Sequence, residues 1–140
     1  MPLKHLIYLS DLVGRDESVL PAIVESAMRN NQRNGVTGML LYADGNFLQV
    51  IEGEAAAVES TFVRISQDPR HGHITVLLEE GLAQRHFSQW SMGYKRLSAQ
   101  DVAALPQQAP AFRYGLHAPG LLPTPGDALD LLQMFAQDAL

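Results

Sequence analysis

The chain has 140 residues, 46 % apolar and 18 % charged, a globular balance that fits one domain plus a short appendage. Ten basic and fifteen acidic side chains give a net charge of −5, which disfavours nucleic acid or anionic lipid as the main partner. There is no cysteine, so disulfides, thiolate metal sites and cysteine nucleophiles are excluded. No apolar run approaches the ~20 residues of a membrane span. The N-terminus enters an apolar segment at once, so no signal peptide is expected and a cytoplasmic location is the default.

Leu3 to Ser10 carries Leu6, Ile7, Tyr8 and Leu9 and reads as a buried strand ended by Asp11 and Gly14. Asp16 or Ser18 can cap a helix, with Pro21 in its first turn. Val19, Leu20, Ile23, Val24, Ala27 and Met28 recur at helical spacing, and the polar run Asn30 to Gly35 stops the helix near Asn31. Val36 to Tyr42 and Phe47 to Glu52 read as strands joined at Asp44-Gly45, a strong hairpin signal. Ala56, Ala57, Val58, Phe62 and Ile65 mark a second helix, closed by Asp68-Pro69. Ile74 to Leu78 is a fourth strand and Trp90 to Tyr94 a fifth.

The order β-α-β-β-α-β-β predicts an α+β fold, a ferredoxin-like sheet with both helices on one face. From Ser98 the character changes, and five of the eight prolines lie between Pro106 and Pro125. Residues 1–97 are therefore expected to form the domain and 98–140 a Pro-rich linker and C-terminal helix. That helix shows Ala128, Leu131, Leu132 and Phe135 at helical spacing. A helix so short needs a surface to cover, on this sheet or on a partner.

Polar residues at apolar positions are the candidates for chemistry. Tyr8 and Gln49 sit mid-strand, and neighbouring first and third strands would let both point to one face. The plainer reading is a core hydrogen bond between them, or two residues that face solvent. Asn30-Asn31 could stop a helix or read the edge of a polar heterocycle, since each amide both donates and accepts. Arg64, Asp68, Arg70 and His71 could be a solvated ion pair at a helix end or a cluster that holds a phosphate. Trp90, Ser91 and Met92 could be core or could pack on a π system. No phosphate loop and no GxSxG elbow is present. By spacing, the histidines His5, His71, His73, His86 and His117 form no metal site.

Taken in order, several segments carry a resemblance. They are Leu6-Ile7-Tyr8-Leu9-Ser10, Asn30-Asn31, Gly35-Val36-Thr37-Gly38-Met39-Leu40-Leu41-Tyr42, and Gly45-Asn46-Phe47-Leu48-Gln49-Val50-Ile51-Glu52-Gly53. Asp68-Pro69-Arg70-His71 and Arg85-His86-Phe87-Ser88-Gln89-Trp90-Ser91-Met92-Gly93 complete the set. Over about residues 3–96 the chain resembles the BLUF family, blue-light sensors that use a flavin, and is similar to its short, stand-alone members.

The resemblance implies a photoreceptor rather than a turnover enzyme. Tyr8 falls on the family's photoactive tyrosine, Gln49 on the glutamine whose hydrogen bonds rearrange, and Met92 and Trp90 on the switching residues of the last strand. Ser10 falls on the small polar residue near Trp90. Asn31, with Asn30 beside it, falls on the contact to the flavin ring edge. Arg64, Asp68, Arg70 and His71 fall around the ring edge and ribityl-phosphate side, and Ile23 and Ile65 can wall the ring. The implied cofactor is FAD, with FMN or riboflavin as alternatives, and the implied output runs through the fifth strand and the C-terminal region to a protein partner. A homodimer fits the pattern; nucleic acid, membrane and metal do not. The competing readings are a flavin-free ferredoxin-like module, for small-ligand sensing or dimerisation, and an acylphosphatase-like enzyme. The latter lacks an arginine in a Gly-rich loop.

Overall fold

The computed structural model describes residues 2–88, 91–98, 100–101 and 125–136. Its sheet is built on β1 (Leu3–Leu12), which pairs antiparallel with β3 (Asn46–Glu54) on one side and with β4 (His71–Leu82) on the other. β2 (Thr37–Ala43) pairs antiparallel with β3, and β5 (Gly93–Arg96) adds in parallel to β2. The strand order is therefore β4-β1-β3-β2-β5. Helices α1 (Leu20–Asn34) and α2 (Ala55–Gln67) cross one face of this ferredoxin-like α+β sheet.

Both faces of the central strands are buried, which explains why they read as continuous apolar runs rather than alternating ones. Leu6, Tyr8, Leu12, Leu40, Tyr42, Phe47 and Ile51 point toward α1 and α2. Ile7, Leu9, Met39, Leu41, Leu48 and Val50 point the other way, onto α3 (Pro125–Ala136). That third helix lies on the face opposite α1 and α2, against β1, β2, β3 and β5 of the same chain. Its Ala128, Leu131 and Leu132 are buried and Phe135 is half-buried. Burial of this stripe supplies the stability that a twelve-residue helix lacks alone in water.

Local chemistry sets the connections. Asp44 and Gly45 both adopt positive φ, 42° and 90°, as a tight hairpin between β2 and β3 requires. At Gly38 the two strands approach so closely that a Cβ would run into the Val50 carbonyl oxygen. Asp16 accepts from the Ser18 backbone N–H at 3.1 Å and caps the short 3-10 turn that leads into α1.

Three boundaries differ from the sequence-based expectation. α1 does not stop near Asn31 but continues to Asn34, because Gly35 (φ 69°) provides the left-handed cap. β4 spans His71–Leu82 rather than Ile74 to Leu78, because backbone pairing along the whole of β1 defines it and its side chains are only partly buried. β5 begins at Gly93, where pairing with Met39 starts, so Ser91 and Met92 lie on the approach to the strand. Trp90 and residues 102–124, which hold most of the expected linker, fall outside the described residues, as does the expected end of the last helix beyond Ala136.

Candidate functional site

A cleft of about 330 Å3 opens between α1 and α2 over the sheet. That volume lies at the lower end of the range for small-molecule sites, roughly 300–1,000 Å3. Its α1 wall carries Ile23, Ala27, Asn30 and Asn31, and its α2 wall carries Thr61, Arg64 and Ile65. Leu40 and Gln49 form the floor, and Asp68, Arg70 and His71 close one end. Nine of the expected ligand contacts thus meet in one cavity: Ile23, Asn30, Asn31, Gln49, Arg64, Ile65, Asp68, Arg70 and His71.

The sheet register brings the photochemical candidates together. Tyr8 on β1 lies directly opposite Gln49 on β3. The Tyr8 hydroxyl donates to Gln49 Oε1, and Gln49 Nε2 donates to Met92 Sδ at 3.5 Å. All three side chains are buried. Burial, with a smaller contribution from the negative charge of Asp68, pushes the Tyr8 phenol well above its ordinary pKa of 10. Tyr8 is therefore neutral and keeps the proton it donates. Asn31, 2 % exposed, donates through Nδ2 to the Ser91 carbonyl at 2.8 Å. That bond ties α1 to the segment before Met92; Asn31 Oδ1 has no hydrogen bond among the described residues and can accept one.

Ser10 does not border the cleft. It lies on β1 and its Oγ is 3.0 Å from His71 Nδ1, so it orients a residue that does. Its expected neighbour Trp90 is outside the described residues. Arg70 forms a bidentate pair with Asp68, with Nη2–Oδ2 at 2.7 Å and Nε–Oδ1 at 3.0 Å. This pairing, chiefly the hydrogen bonds from Arg70, holds the Asp68 carboxyl below its usual range. Arg64 has no hydrogen bond or ion pair among the described residues and is the cation left available at this end.

Burial lowers the His71 pKa below 6.5; the Asp68 charge opposes this and the Arg70 charge adds to it. The folded state thus resists protonation more than the unfolded state does, and stability falls as pH drops below about 6.5. One unit below that value the loss from this group is at most about 1.4 kcal/mol. We expect the urea midpoint to fall between about pH 7.5 and about pH 5.5, and to fall less in His71→Gln. An equal fall in both proteins would remove His71 as the cause.

Sequence reasoning missed Thr61, Leu40, Ser26 and Gln67. Thr61 was detectable in principle, since it interrupts the apolar stripe Val58, Phe62, Ile65 on the inner face of α2. Its Oγ1 is buried with no partner among the described residues. An unmet buried hydroxyl costs roughly 1–3 kcal/mol, so a polar atom of a bound molecule is the natural partner. Paired amides, an orphan hydroxyl and a free guanidinium around apolar walls suit a flat heterocycle that has a polar edge and an anionic tail. A flavin has that shape and that distribution of polar atoms.

The fold is a ferredoxin-like α+β domain with a cleft suited to a flat heterocycle. The family model described as "Sensors of blue-light using FAD" matches residues 3–93, and the chain belongs to this family, BLUF. Among its relatives, the photoactivated adenylate cyclase subunit beta of Euglena gracilis is 39 % identical over 74 residues, 52 % of this chain and 9 % of that protein. The blue light- and temperature-regulated antirepressor BluF of Escherichia coli (strain K12) is 37 % identical over 92 residues, 64 % of this chain and 23 % of that protein. The chain thus spans about a tenth of the cyclase subunit and about a quarter of the antirepressor. The dark state structure of BlrB, a BLUF protein, superposes with a TM-score of 0.75 at 32 % identity, covering 98 % of this chain and 97 % of that one. The photo-activated state of BlsA gives 0.75 at 27 % identity, covering 96 % and 94 %. The flavin-free alternative is not favoured. No helix among the described residues is long and apolar enough to cross a membrane.

Proposed function

We propose that the chain senses blue light as a non-catalytic module, with Tyr8, Gln49 and Met92 as its switch. The observation that carries this reading is the buried hydrogen-bond chain from Tyr8 through Gln49 to Met92 on the floor of the cleft. Asn31 Oδ1 would accept from the ring edge, Thr61 and Asn30 would supply further polar contacts, and Ile23 and Ile65 would hold the ring faces. Arg64 would meet a phosphate of the tail, which favours FAD or FMN over riboflavin. The flavin supplies blue-light absorption and, once excited, a strong pull on electrons.

With flavin bound, Tyr8 would be placed to give an electron to the excited ring and its proton along the bond to Gln49 Oε1, and to recover both as the amide settles into its new orientation. The Gln49 amide has one donor end and one acceptor end, so rotation or tautomerisation exchanges what each neighbour meets. After rotation, Oε1 would face the Met92 sulfur, two acceptors in contact, and the present contact is lost. Met92 joins β5 through Gly93, and α3 rests on β5. The rearrangement is thereby transmitted to the C-terminal helix and on to a protein partner.

Titration with FAD, FMN and riboflavin tests the ligand assignment. We expect uptake of all three rings, tightest for the phosphorylated forms; a protein that takes up none would end this reading. Hydrogen exchange at Ala128 to Phe135, measured in darkness and under illumination, tests the output. Faster exchange in the light is expected, whereas equal and strong protection in both states would make α3 a fixed lid.

A further inference from the structure

Three residues along the same strands from the Tyr8–Gln49 pair, the opposite face of the sheet holds a second cluster. His5 on β1 faces Glu52 on β3 and Glu80 on β4 across the two strand pairings. His86, in the connection after β4, closes the group. One ligand atom each from His5, Glu52 and His86 lies within 4.8 Å of the others. We propose that His5, Glu52 and His86 form a zinc-binding site, with Glu80 orienting His5.

Three features point to a cation. The Glu52 carboxylate is 0 % exposed and has no ion-pair partner among the described residues. Among the described residues its oxygens accept only from the His86 and Phe87 backbone N–H groups, at 2.8 to 3.0 Å, while the Arg85 guanidinium goes instead to Thr37 Oγ1 and the Gly35 and Glu52 carbonyls. Buried charges are paired or coordinate metals. His5 is 1 % exposed, and its Nδ1 is buried with no hydrogen-bond partner among the described residues. Its Nε2 is 3.1 Å from Glu80 Oε1. A carboxylate on one ring nitrogen fixes the tautomer and leaves the other nitrogen as a lone-pair donor, the usual arrangement behind a metal-bound histidine. The two imidazole centroids are 5.8 Å apart. Two rings on one zinc ion, each with Zn–N near 2.0–2.1 Å, place their centroids about 5 to 6 Å apart.

Two nitrogens and one carboxylate leave a fourth position for water, a donor set that zinc accepts. The ion would join β1, β3 and the connection that leads to Met92.

Calorimetric titration of the untagged, chelator-stripped full chain with zinc chloride tests the site. One zinc per chain is expected. His86→Ala removes an exposed side chain and is expected to weaken binding at least about tenfold. Glu80→Gln is expected to weaken it by roughly ten- to a hundredfold, as loss of an orienting carboxylate does. His73→Ala, an exposed histidine outside the cluster, should leave it unchanged. Absence of zinc binding, equal affinity in His86→Ala, or an equal loss in His73→Ala would overturn the proposal.

Discussion

Gln49→Leu is expected to bind flavin and to lose the red-shifted light state entirely. Leucine keeps most of the buried volume but has no donor or acceptor end to exchange, so neither Tyr8 nor Met92 can register a change. Tyr8→Phe should fail in the same way, because the ring stays and the proton donor to Gln49 Oε1 is gone. Each single substitution also leaves one buried group unmet, the Tyr8 hydroxyl or the Gln49 carbonyl oxygen, at roughly 1–3 kcal/mol. The double variant removes both groups, so its stability loss should be smaller than the sum of the two. Light-minus-dark spectra and urea midpoints of the three variants measure both effects. A normal photoproduct in Gln49→Leu would take the switching role from this residue.

Asn31→Ala is expected to act on affinity instead. Asn31 is buried and does two things at once: its Nδ2 holds the Ser91 carbonyl at 2.8 Å and its Oδ1 is left for the ligand. Losing a recognition contact of roughly 1–3 kcal/mol raises the flavin Kd by about five- to 150-fold. The freed Ser91 carbonyl also loosens the approach to Met92, so the flavin that remains bound should show a weaker light response. Asn31→Asp separates the two effects. It retains an acceptor for the ring edge but cannot donate to Ser91 when ionised. Fluorescence titration of FAD against both variants is the measurement. Unchanged affinity in Asn31→Ala would place the ring edge elsewhere.

The sheet was legible because its strands are buried on both faces and so announce themselves as apolar runs. Tyr8 and Gln49 stood out as polar interruptions of those runs, and their direct pairing follows from β1 lying beside β3. Asn30, Asn31, Arg64 and Asp68 were legible as polar helix ends. Thr61 carried only a weak signal, its break in the apolar stripe of α2, because a threonine there reads as tolerated filler until its hydroxyl is seen buried and unmet. The ends of β4 were hidden because backbone pairing, not side-chain burial, defines them. His5, Glu52 and His86 are far apart in sequence; only cross-strand register and the turn after β4 bring them together. The covering of the second face by α3 follows from the stripe Ala128, Leu131, Leu132, whereas the choice between this sheet and a partner's needed the fold.

The most direct measurement is the absorption spectrum of the purified, FAD-loaded full chain in darkness, after blue light, and after return to darkness. A flavin band that shifts to the red under illumination and recovers in the dark is expected. A colourless protein that takes up no FAD, or bound FAD whose band does not move, would contradict it.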